Sequence, residues 1–148
     1  MKRFVVLISI FIALILSACT GTDPDEELVA KEVEKIKETS LQTYLGDVSF
    51  EMKDTRRDGD YYYLNYTIYA NVKEEFSDLS IEEINDVMKT SLNEVGYDSF
   101  DCGARKAKCN IYNIVVNVGG NKYDIGQFDK TVKLNGTPYE EETTDSNS

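Results

Sequence analysis

The chain predicts an α+β fold of order α-β-β-α-β-β, a four-stranded antiparallel sheet with two helices packed on one face. Three observations carry this. Apolar residues recur at helical spacing between Val29 and Leu41 and between Ile81 and Val95. They alternate with polar ones from Tyr61 to Val72 and again from Ile111 to Val118. Asp58-Gly59 and Gly119-Gly120-Asn121 supply tight-turn signals next to those strands.

A leader precedes the domain. Lys2 and Arg3 are followed by thirteen nearly unbroken apolar residues, Phe4 to Leu16, interrupted only by Ser9. Small Ser17 and Ala18 come before Cys19. This is the layout of a secretory signal peptide over residues 1–18. The apolar run is shorter than the roughly 20 residues a membrane-spanning helix needs. Leu16-Ser17-Ala18-Cys19 resembles the lipobox of bacterial lipoproteins. That resemblance implies cleavage just before Cys19, a diacylglycerol with palmitate-type chains on its thiol, and a place on the extracytoplasmic face of the cell membrane. Two acyl chains give stable anchoring where one does not. Residues 19–24 would then be the lipidated N-terminus and a short tether.

The first helix opens at Asp23-Pro24-Asp25-Glu26. Asp23 can cap it, Pro24 suits the first helical position, and the acids favour the positive helix end. Val29, Val33, Ile36 and Ser40 share a side, flanked by Leu28 and Leu41, and the helix is expected to end by Gly46. This reads as a one-sided core helix, with a partner-binding helix as the alternative.

In the first strand Val48, Phe50 and Met52 alternate with Ser49, Glu51 and Lys53. In the second, Tyr62, Leu64, Tyr66, Ile68, Ala70 and Val72 form the core face. Tyr61, Tyr63, Asn65, Thr67, Tyr69 and Asn71 form the other. That tyrosine and amide face has the composition used in recognition, though a solvated sheet face would look similar.

Ser80-Ile81-Glu82-Glu83 is a capping box for the second helix. Ile81, Ile84, Met88, Leu92 and Val95 line its apolar side, with Val87 alongside, and Gly96 stops it. In the next strand Tyr112, Ile114, Val116 and Val118 alternate with Ile111, Asn113, Val115 and Asn117. Tyr123 and Ile125 lie on the returning strand, and Val132 and Leu134 add a short edge before Asn135-Gly136. One domain is expected over residues 25–135, followed by an acidic disordered tail over 136–148. The outline resembles small extracytoplasmic modules such as cystatin-like and PepSY-like domains, in topology alone.

With Cys19 acylated, Cys102 and Cys109 remain as an even pair in an exported chain. They are expected to form a disulfide around Gly103 to Lys108, with two free thiols as the alternative. The loop between them holds Arg105, Lys106 and Lys108, and Arg56 and Arg57 lie at the other hairpin tip. These clusters either meet an anionic partner or simply keep exposed loops soluble.

Composition narrows the chemistry. The net charge is −11. Removing residues 1–18 takes Lys2 and Arg3 and no acid, leaving 14 basic and 27 acidic side chains and a charge of −13. Such acidity opposes nucleic-acid binding and attraction to an anionic membrane. The chain has no histidine, which removes Ser-His and Cys-His pairs and His-bearing zinc sites. No dinucleotide fingerprint, P-loop or nucleophile elbow occurs. Asp54, Asp58 and Asp60 cluster near one turn without EF-hand spacing. No catalytic, cofactor or metal residue is therefore assigned.

The expectation is a non-enzymatic, lipid-anchored accessory domain that binds a protein or cell-envelope partner. Arg105, Lys106, Lys108, Tyr61, Tyr63 and Tyr69 are the candidate contacts. The alternative is a small cell-envelope hydrolase using two of the 27 carboxylates. A two-lobed solute receptor would need more chain than this.

Overall fold

Helix α1 (Glu26–Val33) starts at Asp25, whose carboxylate accepts the Glu27 N–H at 2.9 Å. The computed structural model describes residues 23–96 and 98–140. The expected leader, Cys19 and the expected tether through residue 22 lie outside the described residues, as does the chain from 141. The α1 cap thus falls two residues after the expected Asp23, and Pro24 stays outside the helix. The Asp25 N–H donates to the Cys102 carbonyl at 2.7 Å, which fixes where the chain joins the fold.

The single helix expected up to Gly46 is instead α1 and two short 3-10 turns, Glu34–Glu38 and Ser40–Thr43. The break is at Thr39, which is extended (ψ 178°). Its hydroxyl donates to the Ile36 carbonyl at 2.8 Å and accepts the Leu41 N–H at 3.3 Å. Such local side-chain bonds compete with the helical ladder. Gly46 lies inside a strand, where a Cβ would sit 2.9 Å from the Asn71 carbonyl oxygen. It is required by close packing and does not stop a helix.

β1 (Leu45–Asp58) and β2 (Tyr61–Val72) form a long hairpin that turns at Gly59, with φ +60°. A 3-10 turn, Glu74–Asp78, leads to α2 (Ile81–Gly96). Then follow β3 (Ala107–Val118), β4 (Asn121–Gly126), β5 (Lys133–Leu134) and β6 (Thr137–Pro138). They make one six-stranded sheet in sequence order. β2 and β3 run parallel, and every other pair is antiparallel. This corrects the expected four-stranded, wholly antiparallel sheet. After β2 the chain crosses back through α2 before it re-enters the sheet, and crossovers of that length join parallel neighbours.

The expected edge strand at Leu134 is half of a second small hairpin, turned by Asn135 (φ 51°) and Gly136 (φ 87°). Past it the Tyr139 N–H donates to the Val132 carbonyl at 2.8 Å, and the Tyr139 ring meets Tyr123 at 5.4 Å. Residues 136–139 therefore belong to the domain and do not open the expected disordered tail. Their acidic neighbours hid one aromatic with a place to pack.

Both helices bury their apolar sides in one core. Val29, Val33, Ile36 and Leu41 join Ile84, Met88, Leu92 and Val95 over Leu64, Ile68, Ala70, Ile111, Ile114 and Val116. Burying one such side chain is worth about 1.5–3 kcal/mol. The capping box of α2 forms in both directions: Ser80 N–H to Glu83 Oε2 at 2.8 Å, and Glu83 N–H to Ser80 Oγ at 3.3 Å.

Two register shifts flank β2 at the level of Tyr66. In β1, Lys53 is the extra residue between Met52 and Asp54, and in β3 it is Tyr112 between Ile111 and Asn113. The β3 bulge overturns the expected alternation there. Ile111 is fully buried opposite Tyr66, and Tyr112 is displaced from the core. Met52, on the edge strand β1, is 45% exposed although it pairs with buried Tyr66.

Candidate binding cleft

Parallel pairing sets the first residues of β2 and β3 side by side, Tyr63 with Lys108 and Asn65 with Asn110. β1 adds Arg56 opposite Tyr63 and Asp54 opposite Asn65. Two rows therefore cross the face that carries no helix: Arg56-Tyr63-Lys108 and Asp54-Asn65-Asn110. The second row is wired together. Asn110 Nδ2 donates to Asn65 Oδ1 at 3.1 Å, and Asn65 Nδ2 donates to Asp54 Oδ2 at 3.5 Å. Asn65 is buried, and both ends of its amide are engaged, so its orientation is set.

One wall arises where β4 stops. β4 pairs with β3 only from Asn113 onward, leaving Asn110 to Tyr112 without that neighbour. The Gln127 N–H donates to the Tyr112 carbonyl at 2.9 Å, and Gln127 Nε2 donates to the Gly96 carbonyl at 2.6 Å. The end of α2 is thereby tied to the end of β4. A Cβ on Gly96 would lie 2.8 Å from the Ile111 carbonyl oxygen, so only glycine fits this junction. Phe128 follows, 76% exposed, with its ring edge-on to Tyr112 at 5.4 Å.

Between these walls lies a cleft of about 330 Å³. Tyr63, Asn65, Asn110 and Tyr112 line it on the strand side, Gln127 and Phe128 on the wall, and Arg56, Asp58, Asp98 and Ser99 around the mouth. The volume is at the small end for ligand sites. Three rings, three amides, one guanidinium and two carboxylates offer apolar faces together with donors and acceptors. A wider hollow runs along α1, but the pairs Lys35–Glu32 and Lys37–Glu34 already match its charges.

The shifted acidities are structural. Hydrogen bonds from the Ser80 backbone and side chain hold Glu83 below the usual carboxylate range. The Lys133 and Thr131 bonds do the same for Asp129. Burial raises Tyr66 and Tyr123, and bonds to Glu51 and Tyr69 raise Lys53. None of these groups lines the cleft.

The expected contact residues divide. Tyr63 lines the cleft, and Tyr61, 54% exposed, stands one step nearer the hairpin tip beside a hollow shared with Phe100, Ala104 and Lys108. Tyr69 lies well along β2, opposite Ser49, with the Lys53 ammonium 5.5 Å from its ring. The disulfide between Cys102 and Cys109 is formed, with Cα atoms 5.9 Å apart. The Arg56-Arg57 tip and the Arg105 to Lys108 loop, expected at separate hairpin tips, share one end of the sheet. The Tyr62 N–H donates to the Lys106 carbonyl at 2.9 Å.

Sequence reasoning missed Tyr112, Gln127 and Phe128. The sequence carries little signal here, because apolar Ile111, Tyr112, Ile114, Val115 and Val116 lie almost side by side and mask the bulge at Tyr112. Bulges are frequent beside functional sites because they re-aim a side chain. Among the described residues no three metal-ligating side chains gather, and no helix is long and apolar enough to cross a membrane. Comparison with family models, curated proteins and solved structures finds no match to this chain.

Proposed function

We propose that this is a lipid-anchored, non-enzymatic binding domain of the extracytoplasmic membrane face, which holds a protein or cell-envelope ligand in the cleft beside Phe128. The observation that carries the reading is the pairing of an exposed aromatic ring with a recess whose amide row is already fixed. A large ring left in water at the lip of a concave site is an anchor in search of a covering surface. The lipobox-like Leu16 to Cys19 supplies the address. The test is a photo-crosslinking residue placed at Phe128 in living cells. A discrete adduct that vanishes with Tyr63→Ala supports the cleft. The same adducts from a probe at Glu82, on α2, would refute it.

Asp58 and Asp98 both line this cleft, and that favours the hydrolase as second reading. Under it, Asp58→Asn with Asp98→Asn abolishes turnover of cell-wall fragments. Under the binding reading there is no turnover to lose. For the anchor, Cys19→Ser is expected to release the protein or leave it uncleaved, and full membrane retention of a processed Cys19→Ser variant contradicts it.

A further inference from the structure

We propose that the end of the sheet carrying Arg56, Arg57, Arg105, Lys106 and Lys108 rests on the anionic headgroups of the bilayer that holds the anchor, which gives the domain a fixed orientation. This rests on the reading of Cys19 as the lipid-bearing residue. Two independent features converge on this end. The first is where the tether joins the fold. The Asp25 N–H is bonded to the Cys102 carbonyl, and a Cβ on Gly103 would lie 3.2 Å from the Asp25 Cβ. The chain therefore enters against the disulfide loop. From Cys19 to Asp25, six residues span at most about 20 Å however they are arranged. The loop cannot be far from the lipid.

The second feature is charge. Lys35, Lys37, Lys53 and Lys133 are each paired with an acid. Among the described residues none of the five cations at this end is in an ion pair, and all five are exposed. The half-exposed Tyr61 stands with them, and Leu28, 40% exposed, would touch a Gly103 side chain at 3.5 Å. Cations with an amphipathic ring and an aliphatic chain make up the composition of a membrane-surface contact. Asp25, Asp58, Asp60 and Asp101 share this end, and two of them already accept backbone N–H bonds, from Glu27 and Gly103. The tether supplies the hold. Exposed Glu26 and Glu27 follow Asp25 in the first turn of α1, so what this end offers an anionic surface is its five cations outside any ion pair rather than a net positive charge. The cleft then opens close to the headgroups, so its ligand must be reachable there.

The sequence provides the tools for the test. Cys19 is the one cysteine outside the disulfide, so residues 19–148 can be coupled through it to a maleimide lipid. The chain has no tryptophan, so Tyr61→Trp and Lys122→Trp, at opposite ends of the sheet, are single reporters. Vesicles of phosphatidylglycerol with a headgroup nitroxide lipid are expected to quench Trp at 61 and not at 122. Arg105→Gln, Lys106→Gln and Lys108→Gln together should abolish that quenching, as should replacing phosphatidylglycerol by phosphatidylcholine. Equal quenching at both positions overturns the proposal, as does quenching at 61 that survives both changes. Circular dichroism confirms that each variant is folded. Chemical coupling makes this result independent of lipidation in cells, which palmitate labelling of the wild type and Cys19→Ser tests separately.

Discussion

The two ends of the sheet use aromatic residues in opposite ways. At the end where β2 and β3 finish, Tyr44, Phe76, Tyr123 and Tyr139 run edge to face, with centroids 5.5, 5.6 and 5.4 Å apart. Phe76 is fully buried and Tyr123 nearly so. At the end where β2 and β3 begin, Tyr61, Tyr63, Tyr112 and Phe128 surround recesses and stay partly or largely exposed. The residue types are the same. The difference lies in covering: the 3-10 turn after β2 and the β5–β6 hairpin close the first end, and β4 stops short of the second. One set holds the fold together, and the other is left available.

The strongest test of that division is Phe76→Ala. It should cost about 3–5 kcal/mol, the usual range for emptying a buried aromatic site. Urea unfolding would show it, and a loss below about 1 kcal/mol, the level of an ordinary substitution, would mean the closed end is not structural. Next comes the Cys102–Cys109 bridge. Reducing it, or replacing both residues by Ala, should lower stability by about 2.5 kcal/mol on the chain-entropy argument for so short a ring. Because the bridge pins the loop against Asp25, hydrogen exchange should rise first at residues 102–109.

Acid supplies a third test. Glu83 and Asp129 titrate below their usual values of 4.5 and 3.8 in the fold. Their contribution is present in full above those values and is lost as pH falls through the lowered folded ones. A stability profile should therefore fall below about pH 4, and Glu83→Gln should flatten part of that fall. The smallest effect on stability is expected from Phe128→Ala, within about 0.5 kcal/mol, because the ring is largely in water already. The same substitution should remove ligand capture. Stability lost without capture lost would reverse the roles assigned to the two ends.

Much of the framework was legible in the residues. Ser80 and Glu83 announce the α2 start, Gly59 and Gly119 announce hairpins, and the Ile68-Ala70 alternation announces the core face. Local chemistry sets each of these. The parallel pairing was not legible, because which edge a returning strand joins depends on the crossover and not on any residue of β2 or β3. The joining of Arg56 and Lys108 followed from that pairing and was hidden with it. Thr39 broke a helix whose apolar spacing was intact, since spacing does not report a side chain that bonds its own backbone. Of the candidate site, Tyr63 was found from alternation alone. Phe128 was not, since an isolated aromatic in a polar stretch looks like ordinary surface.

The Asn110–Asn65 hydrogen bond joins residues 45 apart in the chain. Contacts of such separation wait for the intervening segments to be placed, and closing so long a loop is slow compared with forming a hairpin or a helix. The β1–β2 hairpin can therefore form early, while the cleft exists only once β3 has docked. A chain in which β3 has yet to dock holds only Tyr63 and Asn65 of the amide and ring lining, which is half a site. Ligand capture would therefore report a finished fold.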